Sequence, residues 1–244
     1  MTMEINKIYN GDCYELIKEI PDKSIDLIYT DPPYLYESGF GKRLQDEGKI
    51  TEETKNHIEQ MSNGVNESLL DQFVRVMRYI YIYIWCNDKQ IMQYMNYFVN
   101  KHNCDYKILV WKKENPMPMY SKRYLDDIEY CLFFVEKGKQ KFRGKDTYKN
   151  SFKVYSSPIN ATDKEKYKHS SIKPYECVKN HLEKTCSKEM LILDPFLGSG
   201  TTAVVCKDLG LNYIGFEKEE KWFNVATDRL NNIDQNGNVS LFNM

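Results

Sequence analysis

The sequence predicts an α/β fold with a mostly parallel sheet flanked by helices, and two patterns predict it. Short runs of apolar, β-type residues alternate with segments whose apolar residues recur at helical spacing. The apolar runs are nearly continuous, which is typical of strands buried on both faces of a sheet. A chain of 244 residues is long enough for one ordinary domain, so we expect residues 1–244 to form a single domain.

Six strands and five helices are predicted. The strands cover residues 25–29, 79–85, 107–111, 128–135, 191–196 and 212–216. The first of them stops at two prolines, which supply no backbone donor for a further strand residue. The helices cover residues 13–20, 68–79, 89–102, 174–186 and 201–210. The last helix ends at Gly210, since glycine is a usual helix stop.

Two stretches fit neither pattern. Residues 35–66 are polar and acidic, and Gly39 and Gly41 would permit movement, so we expect a mobile loop. Residues 137–168 are basic with interleaved aromatic side chains, which indicates contact with nucleic acid, although a solvated charged face is the alternative. The candidate phosphate contacts are Lys139, Lys141, Arg143 and Lys145.

Composition and charge exclude several classes of protein. The formal net charge is -1, so any nucleic-acid site must be a local basic patch. None of the seven cysteines has Cys-x-x-Cys spacing, so we predict no metal site and reduced thiols in a cytoplasmic protein. The N-terminal segment lacks the apolar core of a signal peptide, and the longest apolar run, at 79–86, is too short to span a membrane.

The sequence Asp31-Pro32-Pro33-Tyr34 follows the first predicted strand, where open α/β sheets bind their ligands. The two prolines leave the carbonyls of the turn free to accept hydrogen bonds, and Asp31 adds a carboxylate beside the flat face of Tyr34. Such acceptors next to an aromatic plane suit an amino group on a planar ring. The alternative is a Pro-Pro turn that merely ends a strand, with Asp31 as its cap.

A second motif, residues 193–202, reads as a strand, a glycine turn and a helix start. Glycines let the backbone approach a ligand closely, and a helix N-terminus offers free N–H groups to an anion. Glu217, in the next strand, is an acid suited to ribose hydroxyls. The spacing Gly198-x-Gly200-x-x-Ala203 also fits a dinucleotide-binding fingerprint, so this loop alone leaves a nicotinamide cofactor open.

Together these motifs resemble those of the amino-methylating DNA methyltransferases. Asp31-Pro32-Pro33-Tyr34 is similar to their DPPY signature, and residues 194–202 are similar to their cofactor loop DPFxGSGTT. His169, Lys173 and Pro174 are in register with the family element HPTxKPxxL, whereas Ser170 and Cys177 depart from it, and residues 10–12 resemble its NGD element. The DPPY motif precedes the glycine loop, as in the β-group of the family.

The resemblance implies a Rossmann-like methyltransferase fold that binds S-adenosyl-L-methionine and methylates an exocyclic amino nitrogen of a flipped base in double-stranded DNA. Asp at the first motif position is more typical of adenine-N6 enzymes, and Ser of cytosine-N4 enzymes. The residues assigned to catalysis are Asp31, Pro32, Pro33 and Tyr34. Those assigned to the cofactor are Asp12, Asp31, Lys173, Asp194, Phe196, Gly198, Gly200, Thr201, Thr202 and Glu217.

Several alternatives stay open at this point. They are a cytosine-N4 enzyme, an RNA or protein-glutamine substrate on the same fold, and a cofactor-binding partner subunit without activity. Methylation of a ring carbon is disfavoured, because no cysteine follows a proline to serve as its nucleophile. A homodimer and a cognate restriction endonuclease are the protein partners that the resemblance suggests.

Overall fold

The computed structural model describes residues 3–35, 64–116, 124–159 and 172–232, with a few single positions between 42 and 55. Eight strands in these ranges form one sheet, in the order β1-β8-β7-β2-β3-β5-β4-β6. The strands are β1 Lys7–Asn10, β2 Leu27–Thr30, β3 Tyr81–Cys86, β4 Cys104–Lys113, β5 Ile128–Glu136, β6 Val154–Ser157, β7 Leu191–Asp194 and β8 Asn212–Glu217. Only β5 among them runs antiparallel to its neighbours.

Helices cover both faces of this sheet. They are α1 Cys13–Leu16, α2 Glu67–Val76, α3 Asp88–Tyr94, α4 Tyr175–Thr185, α5 Thr201–Leu209 and α6 Glu220–Asn231. Helix α3 continues into a wider helical turn, Met95–Lys101. Helix α2 begins at Asn66, whose side chain accepts a hydrogen bond from the backbone N–H of Leu69 at 3.0 Å and so satisfies a free donor of the first turn.

The alternating sequence of β3 divides the core into two layers. Tyr81, Tyr83 and Trp85 point to one face of the sheet, where they pack with α4 and α5, and Ile82 and Ile84 point to the other, where they pack with α2 and α3. All five side chains are buried. Successive strand residues point to opposite faces, so β3 contributes aromatic side chains to one core layer and aliphatic side chains to the other.

The α/β fold and the mostly parallel sheet predicted from the sequence are confirmed. Strands β1 and β6 and helix α6 were not predicted. Both strands are four-residue edge strands that are only partly buried, so they lack the continuous apolar run of a central strand. The predicted helix at 13–20 ends earlier than expected, since α1 gives way to a tighter turn at Ile17–Glu19.

Two of the predicted features fall largely beyond the described ranges. Most of the proposed mobile loop at 35–66 and residues 160–168 of the basic stretch lie outside the described residues. His169 also lies outside them. Within the described ranges, no helix has the length and apolar character that a membrane span requires.

Candidate active site

The two sequence motifs meet at the point where the strand order of the sheet reverses. Strands β2 and β7 are parallel neighbours, with Ile28 opposite Leu193. From β7 the chain moves outward to β8 on one side, and from β2 it moves to β3 on the other. Such a reversal leaves a crevice at the carboxyl ends of the strands, where open α/β sheets bind ligands. Asp31 follows β2 and Asp194 ends β7, so both motifs line this edge of the sheet, hereafter the catalytic edge.

Asp31 has one carboxylate oxygen in an ion pair and one that is buried without a partner in the described ranges. Its Oδ2 accepts a hydrogen bond from the Nζ of Lys173 at 2.5 Å. Its Oδ1 is buried and has no hydrogen-bond partner among the described residues. Burial raises the pKa of Asp31 above its ordinary value, and the positive charge of Lys173 opposes this rise. Within the described part of the chain, Asp31 therefore keeps one buried, unpartnered acceptor atom at the end of β2.

The backbone of the turn is held by two side chains from the start of α3. The buried Gln90 donates its amide N–H to the carbonyl of Pro33 at 3.2 Å, and Asn87 donates to the carbonyl of Leu35 at 2.7 Å. The carbonyl of Pro33 is therefore already engaged within the protein.

Tyr34 is fixed by a carboxylate that the sequence did not single out. Its hydroxyl donates to Oε2 of Glu129 at 3.1 Å, and the Nζ of Lys173 lies 5.3 Å from the centre of its ring. Glu129 also pairs with Lys173 at 3.0 Å and with Lys113 at 2.7 Å. Burial would raise the pKa of Glu129, but the two lysines outweigh it and lower that pKa to about 2.

Lys173, predicted as a cofactor contact, lies between Asp31 and Glu129. Its side chain is almost completely buried, and the two carboxylates raise its pKa against the effect of burial. A cofactor contact by Lys173 stays a prediction. Glu129 and Lys113 were missed. The only signal for them in the sequence is a charged residue near one terminus of a strand, Glu129 second in β5 and Lys113 last in β4, and each strand carries other charged residues as well.

The glycine loop needs its glycines for conformation and for space. Gly198 and Gly200 have φ of 55° and 87°, the left-handed region that other residues avoid. A Cβ at Gly200 would lie 2.8 Å from the Cβ of Ala226 on α6. Helix α5 begins at Thr201, directly after this glycine, so its free N–H groups face the catalytic edge. Thr201 and Thr202 occupy its first turn, as predicted from the sequence.

The loop is braced by residues close to it in the fold. Oε2 of Glu217, at the end of β8, accepts from the backbone N–H of Gly198 at 2.8 Å. The guanidinium of Arg229 on α6 donates to the carbonyl of Ser199 at 2.7 Å. Oδ1 of Asp194 accepts from the N–H of Phe196 at 3.1 Å. Burial raises the pKa of Asp194 to about 7 and raises that of Glu217 as well.

Asp12 lies at the same edge as Glu217. The two strand ends are aligned, with Asn10 opposite Glu217. Asp12 caps α1 by accepting from the N–H of Tyr14 at 3.0 Å, and it pairs with Lys218 at 2.9 Å. Asp12 therefore caps a helix, and its place beside Glu217 is compatible with a second role toward a ligand.

The four basic residues predicted to contact DNA are not brought to this edge. They follow the carboxyl end of β5, which reaches the amino edge of the parallel strands. There the hydroxyl of Tyr81, the first residue of β3, donates to the carbonyl of Lys141 at 2.6 Å, and Lys141 pairs with Asp105. The guanidinium of Arg143 lies 5.0 Å from the ring of Tyr79. A six-residue strand is about 20 Å long, which separates them from Asp31. Lys139 and Lys145 belong to the same stretch.

Comparison with known proteins gives a consistent result. The profile of the N6/N4 DNA methylase family matches residues 25–228. The type II methyltransferase M.HinfI of Haemophilus influenzae is 31% identical over 96% of this chain and 70% of its own length. The type II methyltransferase M2.MboI of Moraxella bovis is 27% identical over 93% of this chain and 88% of its own.

Solved structures of methyltransferases share the fold. The complex of M1.HpyAVI with S-adenosylmethionine has a TM-score of 0.66 and 26% identity, and it covers 92% of this chain and 99% of that one. The cytosine-N4-specific PvuII DNA methyltransferase has a TM-score of 0.68 at 15% identity, over 96% of this chain and 89% of that one. With both signature motifs at one edge of this sheet, the chain belongs to the N6/N4 DNA methylase family.

Proposed function

We propose that the protein transfers a methyl group from S-adenosyl-L-methionine to the exocyclic N6 of adenine in double-stranded DNA. The observation that carries this proposal is the Oδ1 of Asp31, buried and unpartnered among the described residues, three residues before Tyr34, at the edge of the sheet where the glycine loop also lies. An amino group on a planar ring needs an acceptor for its N–H and a surface for its ring, and the turn offers both.

The residues of the glycine loop fit this cofactor. The close approach permitted by Gly198 and Gly200 and the free N–H groups at the start of α5 suit its carboxylate. Glu217 and Asp12, at the ends of β8 and β1, place carboxylates where ribose hydroxyls and the adenine amino group of the cofactor can donate. When bound, S-adenosylmethionine supplies an electrophilic methyl group on a sulfonium.

The turn orients and activates the target nitrogen. Asp31 Oδ1 and the carbonyl of Pro32 accept the two N–H bonds of the amino group, which favours a more tetrahedral nitrogen with its lone pair free to attack. Tyr34 stacks on the ring, which requires the base to leave the helix at a cost of a few kcal/mol. Methyl transfer would leave the amino nitrogen with one excess proton, and Asp31 Oδ1 would be placed to accept that proton. No covalent intermediate with the protein is needed.

Adenine is proposed over cytosine on the first letter of the turn, since Asp31 stands where cytosine-N4 enzymes more often carry serine. The geometry of the turn suits either amino group. A cytosine-N4 enzyme is therefore the second candidate. Label found in N4-methylcytosine would select it without altering the roles of Asp31 and Tyr34.

The experiment is incubation of the purified protein with unmethylated genomic DNA and methyl-labelled cofactor, followed by analysis of the nucleosides. We expect label in N6-methyladenine, lost on Asp31→Ala and retained on Asp228→Ala, which alters an exposed aspartate of α6. Label absent from every nucleoside, with protein that binds the cofactor, would contradict the proposal and favour RNA, a protein amide or a non-catalytic partner role.

The proposed protein partners follow from the family and need their own measurements. A homodimer is tested by sedimentation, and a cognate restriction endonuclease by whether DNA modified by this protein resists cleavage. Location in the cytoplasm likewise stays a prediction. DNA contact by Lys139, Lys141, Arg143 and Lys145 stays a proposal restricted to duplex flanking the target, because these residues lie at the amino edge.

A further inference from the structure

Glu129 connects the catalytic turn to the sheet, because it lies on β5 and contacts both Tyr34 and Lys173. Because β5 runs antiparallel to its neighbours, its first residues lie at the catalytic edge, where its neighbours have their last residues. Both oxygens of Glu129 are engaged: Oε1 accepts from Lys113, and Oε2 accepts from Lys173 and from the hydroxyl of Tyr34. Its side chain is 13% exposed, so these bonds are shielded from water.

The contacts of Glu129 form a balanced group of buried charges. Asp31 and Glu129 are the two anions, and Lys173 and Lys113 are the two cations. Burying ion pairs contributes little to folding, because desolvation offsets the attraction, so stability alone is a weak reason for such a group. Its position at the catalytic edge, in contact with both Asp31 and Tyr34, points to a role in the reaction.

We propose that Glu129 is a positioning residue for methyl transfer, which fixes the ring of Tyr34 and, through Lys173, keeps the negative charge of Asp31 available to the target amino group. The proposal depends on the methyl transfer proposed above. Positive charge develops on the amino nitrogen as it attacks. Asp31 stabilises this transition state only if Lys173 leaves part of the negative charge of Asp31 unneutralised. Glu129 shares Lys173 and thereby weakens that neutralisation.

The first test is Glu129→Gln, which keeps the shape of the side chain and removes its charge. We expect kcat to fall about 10-fold to 100-fold, with KM for S-adenosylmethionine within about twofold of wild type, because Glu129 contacts the turn and not the glycine loop. The matched control is Glu176→Gln, which removes the same charge from an exposed pair with Lys149. A kcat for Glu129→Gln within about twofold of wild type would overturn the proposal.

The pH profile separates this role from simple packing. The charged and titratable groups around Asp31 are Lys173, Glu129, Tyr34, Asp194, Tyr94, Cys86 and Cys131. Glu129 raises the pKa of Asp31, so removing its charge lowers that pKa. The acid limb of kcat, where Asp31 becomes protonated, should therefore move to lower pH. If the acid limb of kcat stays at the same pH in Glu129→Gln, the proposed effect of the Glu129 charge on Asp31 is contradicted.

Two further variants keep the proposal testable if Glu129→Gln does not fold. Tyr34→Phe removes only the hydroxyl that donates to Glu129, and we expect kcat to fall severalfold. An unchanged kcat would overturn the claim that Glu129 positions the ring of Tyr34. Adding Lys113→Met to Glu129→Gln removes one excess positive charge and should restore part of kcat. The absence of methyl transfer by the wild-type protein would instead refute the proposed function, so the two failures are distinguishable.

Discussion

The catalytic turn and the glycine loop lie side by side but are held in place differently. The turn at 31–34 is fixed by side chains from distant parts of the chain: Gln90 from α3, Glu129 from β5 and Lys173 from the segment before α4. The loop at 194–202 is fixed by its own glycine conformations and by residues that follow it within the same half of the chain, such as Glu217. Because distant side chains hold the turn, substitutions at those side chains can change the geometry and charge of the turn without altering the neighbouring cofactor loop.

The largest effect is expected from Asp31→Ala, which alters the turn alone. We expect kcat to fall at least about 100-fold, because the acceptor that stabilises the charge developing on the amino nitrogen is lost. The affinity for S-adenosylmethionine, measured by calorimetry, should fall far less than kcat. A large loss of cofactor affinity would show that the two motifs are not separable.

Lys173→Met removes the positive charge that pairs with Asp31, whereas Asp31→Ala removes the negative charge. Lys173 lowers the pKa of Asp31, so its removal lets that pKa rise, and the acid limb of kcat should move to higher pH. Activity at neutral pH should fall about tenfold or more, since two buried carboxylates lose their shared partner. Lys179→Met, which removes a lysine paired with Asp208 on the same side of the sheet, is the control and should leave the limb in place.

Gly200→Ala alters the loop alone. A side chain at φ 87° is strained, and its Cβ would press on Ala226, so we expect a loss of about 2–4 kcal/mol in unfolding free energy and weaker cofactor binding. Gly210→Ala is the matched control, because Gly210 has a similar φ of 67° and open space around it. It should cost only about 1–2 kcal/mol and leave cofactor affinity unchanged. Equal losses in urea unfolding would contradict the close contact.

The smallest effect is expected from alanine at Lys139, Lys141 and Arg143 together, which extends the comparison to the amino edge. If these residues contact flanking duplex, KM for DNA should rise severalfold, with a weaker dependence on salt and an unchanged kcat. A KM for DNA equal to that of wild type at all salt concentrations would remove them from the DNA interface. A fall in kcat would show that the amino edge is coupled to Asp31.

The same comparison explains what the sequence could predict. The glycine loop is local: one run of residues supplies the strand end, the positive-φ glycines and the helix start, so its geometry follows from the sequence. Asp31 and Tyr34 were predicted for the same reason. Glu129 and Lys113 were missed because their role depends on the antiparallel placement of β5, which brings its first residues to the catalytic edge. No local pattern reveals that placement.

The basic stretch shows the same limit. Its charge and aromatic content are local properties and were read from the sequence, but its position depends on where β5 ends. An antiparallel β5 carries residues 137–145 to the amino edge, whereas a parallel strand would have carried them to the catalytic edge. Strands β1 and β6 were missed for a different reason, since short edge strands do not show the apolar run of a buried one.

The buried cysteines are distributed over both core layers, so their alkylation can report the opening of each layer separately. All seven thiols are free and buried, and burial raises the pKa of each one. An alkylating reagent can therefore modify them only when the surrounding structure opens. Cys13, Cys86 and Cys104 lie in the layer that packs with α2 and α3. Cys131, Cys177, Cys186 and Cys206 lie in the layer that packs with α4 and α5. The order in which they are alkylated, read by mass spectrometry, would reveal which layer opens first.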